Sequence, residues 1–201
     1  MMDRFVLPLA FAAMGIFTAV DVAIAQQPTT IAGRTIADYT AQLDDDDRVV
    51  RLRAVKSLGA FGEAAGEALI SALDHDDKAV QYTAAVHLGR IGGKPLQDAQ
   101  GQLEQVAKDK DSLAVRMAAS FALCRGGATE QYLPILIEGL QYPERGMVCG
   151  AAELLGMLGP AAAAAVEPLQ QAYEQNRPGV KGGDYHIGGA AMNALRKIQG
   201  Q

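Results

Sequence analysis

Tryptophan is absent from this sequence, aromatic residues make up only 5% of it, and it holds just two cysteines and three histidines. With so few large side chains in a chain that is 49% hydrophobic, much of the apolar content is alanine. That composition favours close-packed helices over a sheet. The net charge is −5, so no global basic field points to nucleic acid or an anionic membrane. His75, His87 and His186 are not paired at a metal-ligand spacing such as i, i+4. No G-x-S-x-G, H-E-x-x-H or C-x-x-C occurs, which leaves no motif for a nucleophile elbow, a zincin site or a redox dithiol. No Asn-x-Ser/Thr sequon is present either. What remains is a chain of 201 residues, long enough for one domain with a real core or for a short repeat array.

The N-terminus reads as a processing segment. The apolar run Phe5 to Val20, interrupted by Pro8, is too short for a spanning helix, which needs about 20 residues. Ala23 and Ala25 give the small-x-small pattern of a cleavage site. Residues 1–25 are therefore expected to be a signal peptide, and 26–201 an exported domain, periplasmic or extracellular, with no stable membrane insertion after cleavage. An uncleaved anchor is the alternative. Removing 1–25 leaves 17 basic and 21 acidic residues.

Self-similarity dominates the rest. LDDDDRVVRLRAVKSLGAFG at 43–62 has a counterpart in LDHDDKAVQYTAAVHLGRIG at 73–92. Copies follow at 109–127, 142–159 and, degraded, at 183–199. The shared frame is an apolar anchor, alanine four later and leucine eight later. The anchors are Val50, Val80, Val115, Met147 and Ile187; the leucines are Leu58, Leu88, Leu123, Leu155 and Leu195. An amphipathic segment precedes each copy, at 36–43, 64–73, 96–107, 130–140 and 162–175. Each unit is thus two antiparallel helices, A then B. The B helix starts at an acidic or polar turn and stops at Gly62, Gly92, Gly127 or Gly159. Such units bury their apolar faces only by stacking. Approximate repeats are 36–62, 63–92, 96–127, 129–159 and 161–199.

The pattern Asp-x-Asp, anchor valine, Arg, Ala, Leu-Gly is carried best by Asp44, Asp46, Val50, Arg51, Ala54, Leu58 and Gly59. Asp109, Asp111, Val115, Arg116, Ala119 and Leu123 repeat it, with Cys124 in the glycine's place. In the second copy Gln81 replaces the arginine, and the last two copies lack both the Asp pair and the Arg. This resembles the HEAT-repeat family in its short bacterial form, similar to phycobilisome-lyase-like repeats. The resemblance implies an all-α, right-handed α-solenoid (armadillo-like superhelix) of about five helix pairs. It also implies an Asp and Arg ladder between repeats, and it is nearly silent on activity.

The aspartates have two readings. As structural caps, Asp46, Asp47, Asp76, Asp77, Asp111 and Asp184 would accept hydrogen bonds from free helix N–H groups and complement the helix dipole. As a divalent cation site they would need calcium-loop geometry, but Val49 and Val55 stand where an EF-type loop from Asp44 wants glycine and glutamate. Asp74, His75 and Asp76 look catalytic on paper, yet a surface turn supplies no pocket and no nucleophile. His87 is expected to be a hydrogen-bonded structural histidine.

In this fold the B helices usually line the concave side. Positions +2, +6 and +10 from the anchor fall on the face away from the core, at about 100° per residue. Those rows present Leu52, Tyr82, Val86, Met117, Phe121, Cys149 and Met157, with Arg90 and Arg125 beside them. An apolar stripe flanked by arginines suggests a groove for a partner protein or peptide, with the arginines reading carboxylates. Alternatively, superhelical twist buries part of the stripe between neighbouring helices. If the groove reading holds, Phe121→Glu abolishes binding and leaves helicity intact. Cys124 and Cys149 share a face but lie about 10 Å apart along the axis. With a helix spacing of about 8–10 Å added, they are beyond disulfide reach.

The glycine-rich loop before the last repeat offers a secondary polar site from Lys181, Asp184, Tyr185 and His186, or only a loose terminal unit with Asp184 as a cap. It is no P-loop, since no Gly-Lys-Ser/Thr closes it. The sequence thus leads to a non-enzymatic, cofactor-free, exported interaction module with a protein or peptide partner, no metal and no nucleic acid. A bilin-lyase-type enzyme or accessory, and a cation binder built on the aspartate turns, remain as other readings.

Overall fold

The protein is seen here in a computed structural model that describes residues 28–201; the leader expected at 1–25 lies outside those residues. Among the described residues eleven helices follow one another: α1 (Ile36–Ala41), α2 (Arg48–Ala60), α3 (Gly66–Ser71), α4 (Lys78–Ile91), α5 (Gly93–Asp98), α6 (Gln100–Val106), α7 (Leu113–Arg125), α8 (Thr129–Gly139), α9 (Arg145–Leu158), α10 (Val166–Asn176) and α11 (Tyr185–Ile198). Short 3-10 turns extend several of them. Among the described residues there is no strand, only an isolated bridge between Ile31 and Arg34.

The elements form an α-solenoid. Five long helices (α2, α4, α7, α9, α11) are each preceded by shorter ones, and each long helix packs on the next. The short row is irregular for local reasons. Before α7 it breaks at Ala99 into α5 and α6, where Pro95 fixes the first turn. Glycines at Gly92 (φ 69°) and Gly159 (φ 59°) end α4 and α9 in a left-handed backbone that other residues adopt at a cost. The apolar run Arg145–Asn176 is long enough to cross a membrane by composition. It is no single rod, because it turns at Gly159 and loses helical dihedrals at Ala162.

The core lies between the two helix rows. The frame alanines and leucines Ala54, Leu58, Ala84, Leu88, Ala119, Ala151 and Leu155 are buried in it. At the N-terminal end Tyr39 meets Phe61 edge to face, with ring centroids 6.1 Å apart. The Tyr39 hydroxyl donates to the Ile31 carbonyl at 2.9 Å and ties down the entering chain.

The middle of the array is packed most tightly. On α7 every residue from Met117 to Cys124 is buried. Phe121 reaches this depth because Gly89 has no side chain: a Cβ there would lie 2.7 Å from the Phe121 ring. Gly139 plays the same part for Met117, where a Cβ would overlap the Met117 sulfur and stand 2.8 Å from Ala151 Cβ. Gly139→Ala is therefore expected to destabilise the chain by about 1–3 kcal/mol through overpacking. Urea denaturation would read this as a lower midpoint at an unchanged slope.

Candidate functional site

The acidic turns are structural in this fold. Asp47 caps α2 by accepting from the Val49 N–H at 2.8 Å, Asp77 caps α4 through Ala79 N–H at 2.9 Å, and Asp184 caps α11 through His186 N–H at 2.9 Å. Asp46, Asp76 and Asp111, expected as caps, make no such bond. They sit one residue too early, and on α7 Ser112 takes the role, its Oγ accepting from Val115 N–H at 3.3 Å. The turns before Asp47, Asp77 and Ser112 are closed by Asp45, His75 and Asp109, which accept from the backbone two residues on.

His75 has no free nitrogen for catalysis. Its Nδ1 accepts from the Asp77 N–H at 2.8 Å, so Nε2 carries the proton and donates to the Leu43 carbonyl at 2.9 Å. A depression of about 350 Å³ does lie beside it, contrary to the reading of the turn as pocketless. Among the described residues, no group of three or more His, Cys, Asp or Glu is placed to hold a metal ion.

Ion pairs link the first turn to the second, the second to the third, and the fourth to the fifth. Arg48 Nε and Arg51 Nη2 both reach Asp77 Oδ2, at 3.1 and 3.0 Å, and Lys78 Nζ reaches Asp109 Oδ2 at 2.7 Å. Arg145 stands 3.5 Å from Asp184. Where Gln81 replaces the arginine, its amide donates to the Leu73 carbonyl at 2.9 Å. Between α7 and α9 the ladder is interrupted: Leu113 occupies the position of Arg48 and Lys78, and Glu144 makes no capping bond.

The face formed by α2, α4, α7 and α9 holds a groove of about 560 Å³. Leu52, Tyr82 and Met147 line it, Met117 lies at its floor, and Arg48, Lys56 and Lys78 carry positive charge to its edge. On the α9 side Gly146 and Gly150 leave backbone open on either side of Met147. A Cβ added at Gly146 or Gly150 would meet nothing within 4 Å. Burial pushes the Tyr82 phenol above its ordinary pKa, and the Glu153 carboxylate adds to that rise, so the ring stays a neutral donor at the groove wall.

The expected stripe does not survive as one surface. The helical-face rule turns Met117 and Phe121 away from the core, whereas both are 1% exposed. The rule treats each B helix as having a free side, but α4 and α9 close over α7 from both directions. Leu52 and Tyr82 are half-buried in the groove; Val86, Cys149 and Met157 are half-buried outside it. Arg125 is turned back to the scaffold, its Nε donating to the Gly89 carbonyl at 3.3 Å. Arg90 is exposed and lines a separate depression with Lys56 and His87.

The cysteines are free. Burial pushes the Cys124 thiol up to about 12, which makes it inert as a nucleophile at neutral pH. In the loop before α11, Asp184 is committed to its cap and to Arg145, Lys181 is exposed, and the exposed Tyr185 and His186 rings lie 4.2 Å apart. No shared site gathers those four residues.

Residues missed by the helical-face rule are Arg48, Lys78, Gly146, Met147 and Gly150. A signal for them was present. Arg48, Lys78 and Arg145 recur two positions before the anchor, a basic row in the first turn, where the helix dipole alone would disfavour it. Charge is also sorted between the rows. The five long helices carry eleven lysines and arginines and one acid, Glu153. The short helices carry eight acids and one lysine, Lys94. The net charge of −5 hides a basic groove side and an acidic back.

Comparison with known proteins gives one family: residues 36–124 match HEAT repeats. No curated protein matches the chain. Among solved structures, an engineered protein determined by crystallography is similar to it with a TM-score of 0.47 and 20% identity, over 82% of this chain and 79% of its own.

Proposed function

We propose that this chain, whose residues 36–124 match HEAT repeats, is a non-catalytic interaction module that seats a segment of another protein in the groove across α2, α4, α7 and α9. HEAT repeats serve generally as protein-interaction scaffolds. The observation that carries the finer reading is the groove itself. Half-buried apolar side chains of Leu52, Tyr82 and Met147 line it beside Gly146 and Gly150, with Arg48, Lys56 and Lys78 at the edge. A partner segment would gain by burying its apolar side chains there, and it could approach α9 closely at Gly146 and Gly150. The proposal includes export, supported by the Phe5–Val20 run and the small residues Ala23 and Ala25.

Gly150 supplies the test. A side chain at this position points into open groove space, and replacing a helical glycine raises helix stability by about 0.5–1 kcal/mol. Gly150→Leu is therefore expected to fold at least as well as the parent while filling the groove. Affinity capture from the native source, with parent and variant side by side, should retain a protein on the parent alone. Equal retention on both would rule out this groove as the docking surface.

A further inference from the structure

At the C-terminal ends of α2 and α4, next to the groove, Lys56, His87 and Arg90 line a depression of about 380 Å³ together with Gly59, Ala60 and Ile91. No acidic residue lines it. Lys56 and Arg90 are exposed, and neither makes an ion pair among the described residues. In contrast, the first-turn cations Arg48, Arg51, Lys78 and Arg145 all have carboxylate partners.

His87 is half-buried and has no hydrogen-bond partner among the described residues, unlike the satisfied structural histidine that its position suggests. Its ring lies directly on the α2 backbone at Gly59, where even a Cβ would overlap it. The glycine thus makes room for the imidazole at the edge of the depression that Lys56 and Arg90 also line. Burial lowers its pKa first, and the positive charges of Arg90 and Lys56 lower it further. Those are the charged groups acting on the ring from its own helix and from α2, and no carboxylate opposes them. Two unpaired cations and a polar ring without a partner converge on one concavity beside an apolar groove.

We propose that Lys56, His87 and Arg90 form an anion subsite that receives a carboxylate of the protein segment docked in the groove. This rests on the groove reading for its occupant, but the subsite is testable by itself. Lys56 and Arg90 would donate charge-assisted hydrogen bonds to the carboxylate. A bound anion would also favour the imidazolium, turning His87 into a third donor. Apolar side chains in the groove and an acid at this end would together fix the register and direction of the segment.

The experiment follows the His87 ring signal by NMR in the full mature chain, with two capped probe peptides, Leu-Glu-Glu-Leu and Leu-Gln-Gln-Leu, at matched ionic strength. The glutamate peptide is expected to move the signal and to raise the His87 pKa by about half a unit or more. The glutamine peptide should do neither. Lys56→Gln combined with Arg90→Gln should weaken the response about tenfold with unchanged circular dichroism. Equal responses to both peptides, or no response to the glutamate peptide, would overturn the proposal. A response to inorganic phosphate without one to the glutamate peptide would also overturn it, in favour of a phosphate site. The peptide response reads the subsite by itself, whereas capture reads the groove. Failure of the groove reading therefore shows in capture, and failure of the subsite shows at His87.

Discussion

Phe121→Glu should leave no folded chain to assay. The parent side chain is 1% exposed and packs on α4, against the gap that Gly89 leaves for it. Truncating a buried phenylalanine costs about 3–5 kcal/mol from lost burial and the cavity alone. A carboxylate in its place adds the penalty of burying an unpaired charge or of protonating it. Against a typical domain stability of about 5–15 kcal/mol, that removes most or all of the margin. Because α7 joins the halves of the array, the loss would spread in both directions instead of fraying one end. Circular dichroism at 25 °C is expected to show lost helicity, and Phe121→Leu an intermediate melting temperature. A cooperative melt within a few degrees of the parent for the glutamate variant would mean that the residue is at the surface.

The same residue shows where the sequence stops being legible. Helix pairs, their order and the frame of buried alanines and leucines follow from spacing, because the apolar period of a helix records which face meets the core. Phe121 and Met117 do not fall on that face. They are buried by the relation of α7 to α4 and α9, which depends on Gly89 and Gly139 in other repeats. One sign was available within α7 itself. LAVRMAASFALCR has scarcely a polar side, and a helix apolar all round is a buried one. The groove was legible in part, through Leu52 and Tyr82. Its glycine wall was not, since an absent side chain leaves no mark in a hydrophobic pattern. The Lys56, His87 and Arg90 grouping joins positions +6, +7 and +10 of two helices, and single-helix periodicity does not bring those together.

Charge divides the labour within the array. Cations in the first turn of α2, α4 and α9 are spent on the next repeat's acids and hold the stack in register. Cations near the ends of α2 and α4 have no such partner and stand beside the groove. The family resemblance accounts for the first set, because the ladder is what stacking needs. The second set has no role in stacking, and it is the set that the proposed anion subsite draws on.

The ladder's largest single contribution is expected at Asp77, and removing its charge should cost about 2 kcal/mol at pH 7. Its side chain is only 10% exposed. Burial by itself would raise the pKa, but the Ala79 N–H and the Arg51 and Arg48 guanidiniums outweigh it and hold the carboxyl at about 2, against an ordinary 3.8. At about 1.4 kcal/mol per unit, that difference gives the figure above. A carboxyl depressed in the fold stabilises it at every pH above 3.8, and the contribution is lost as the pH falls from 3.8 towards 2. Asp77→Asn isolates the charge, since asparagine caps a helix about as well as aspartate. Arg51 also keeps its bonds to the Asp45 and Asp46 carbonyls, at 2.7 and 3.0 Å. Urea denaturation of parent and variant should differ most at neutral pH and converge near pH 2. The amides of α1 and α2 should exchange faster in the variant, because Asp77 ties that first pair to the rest of the array. An equal difference at pH 7 and pH 2 would assign Asp77 a role of shape alone.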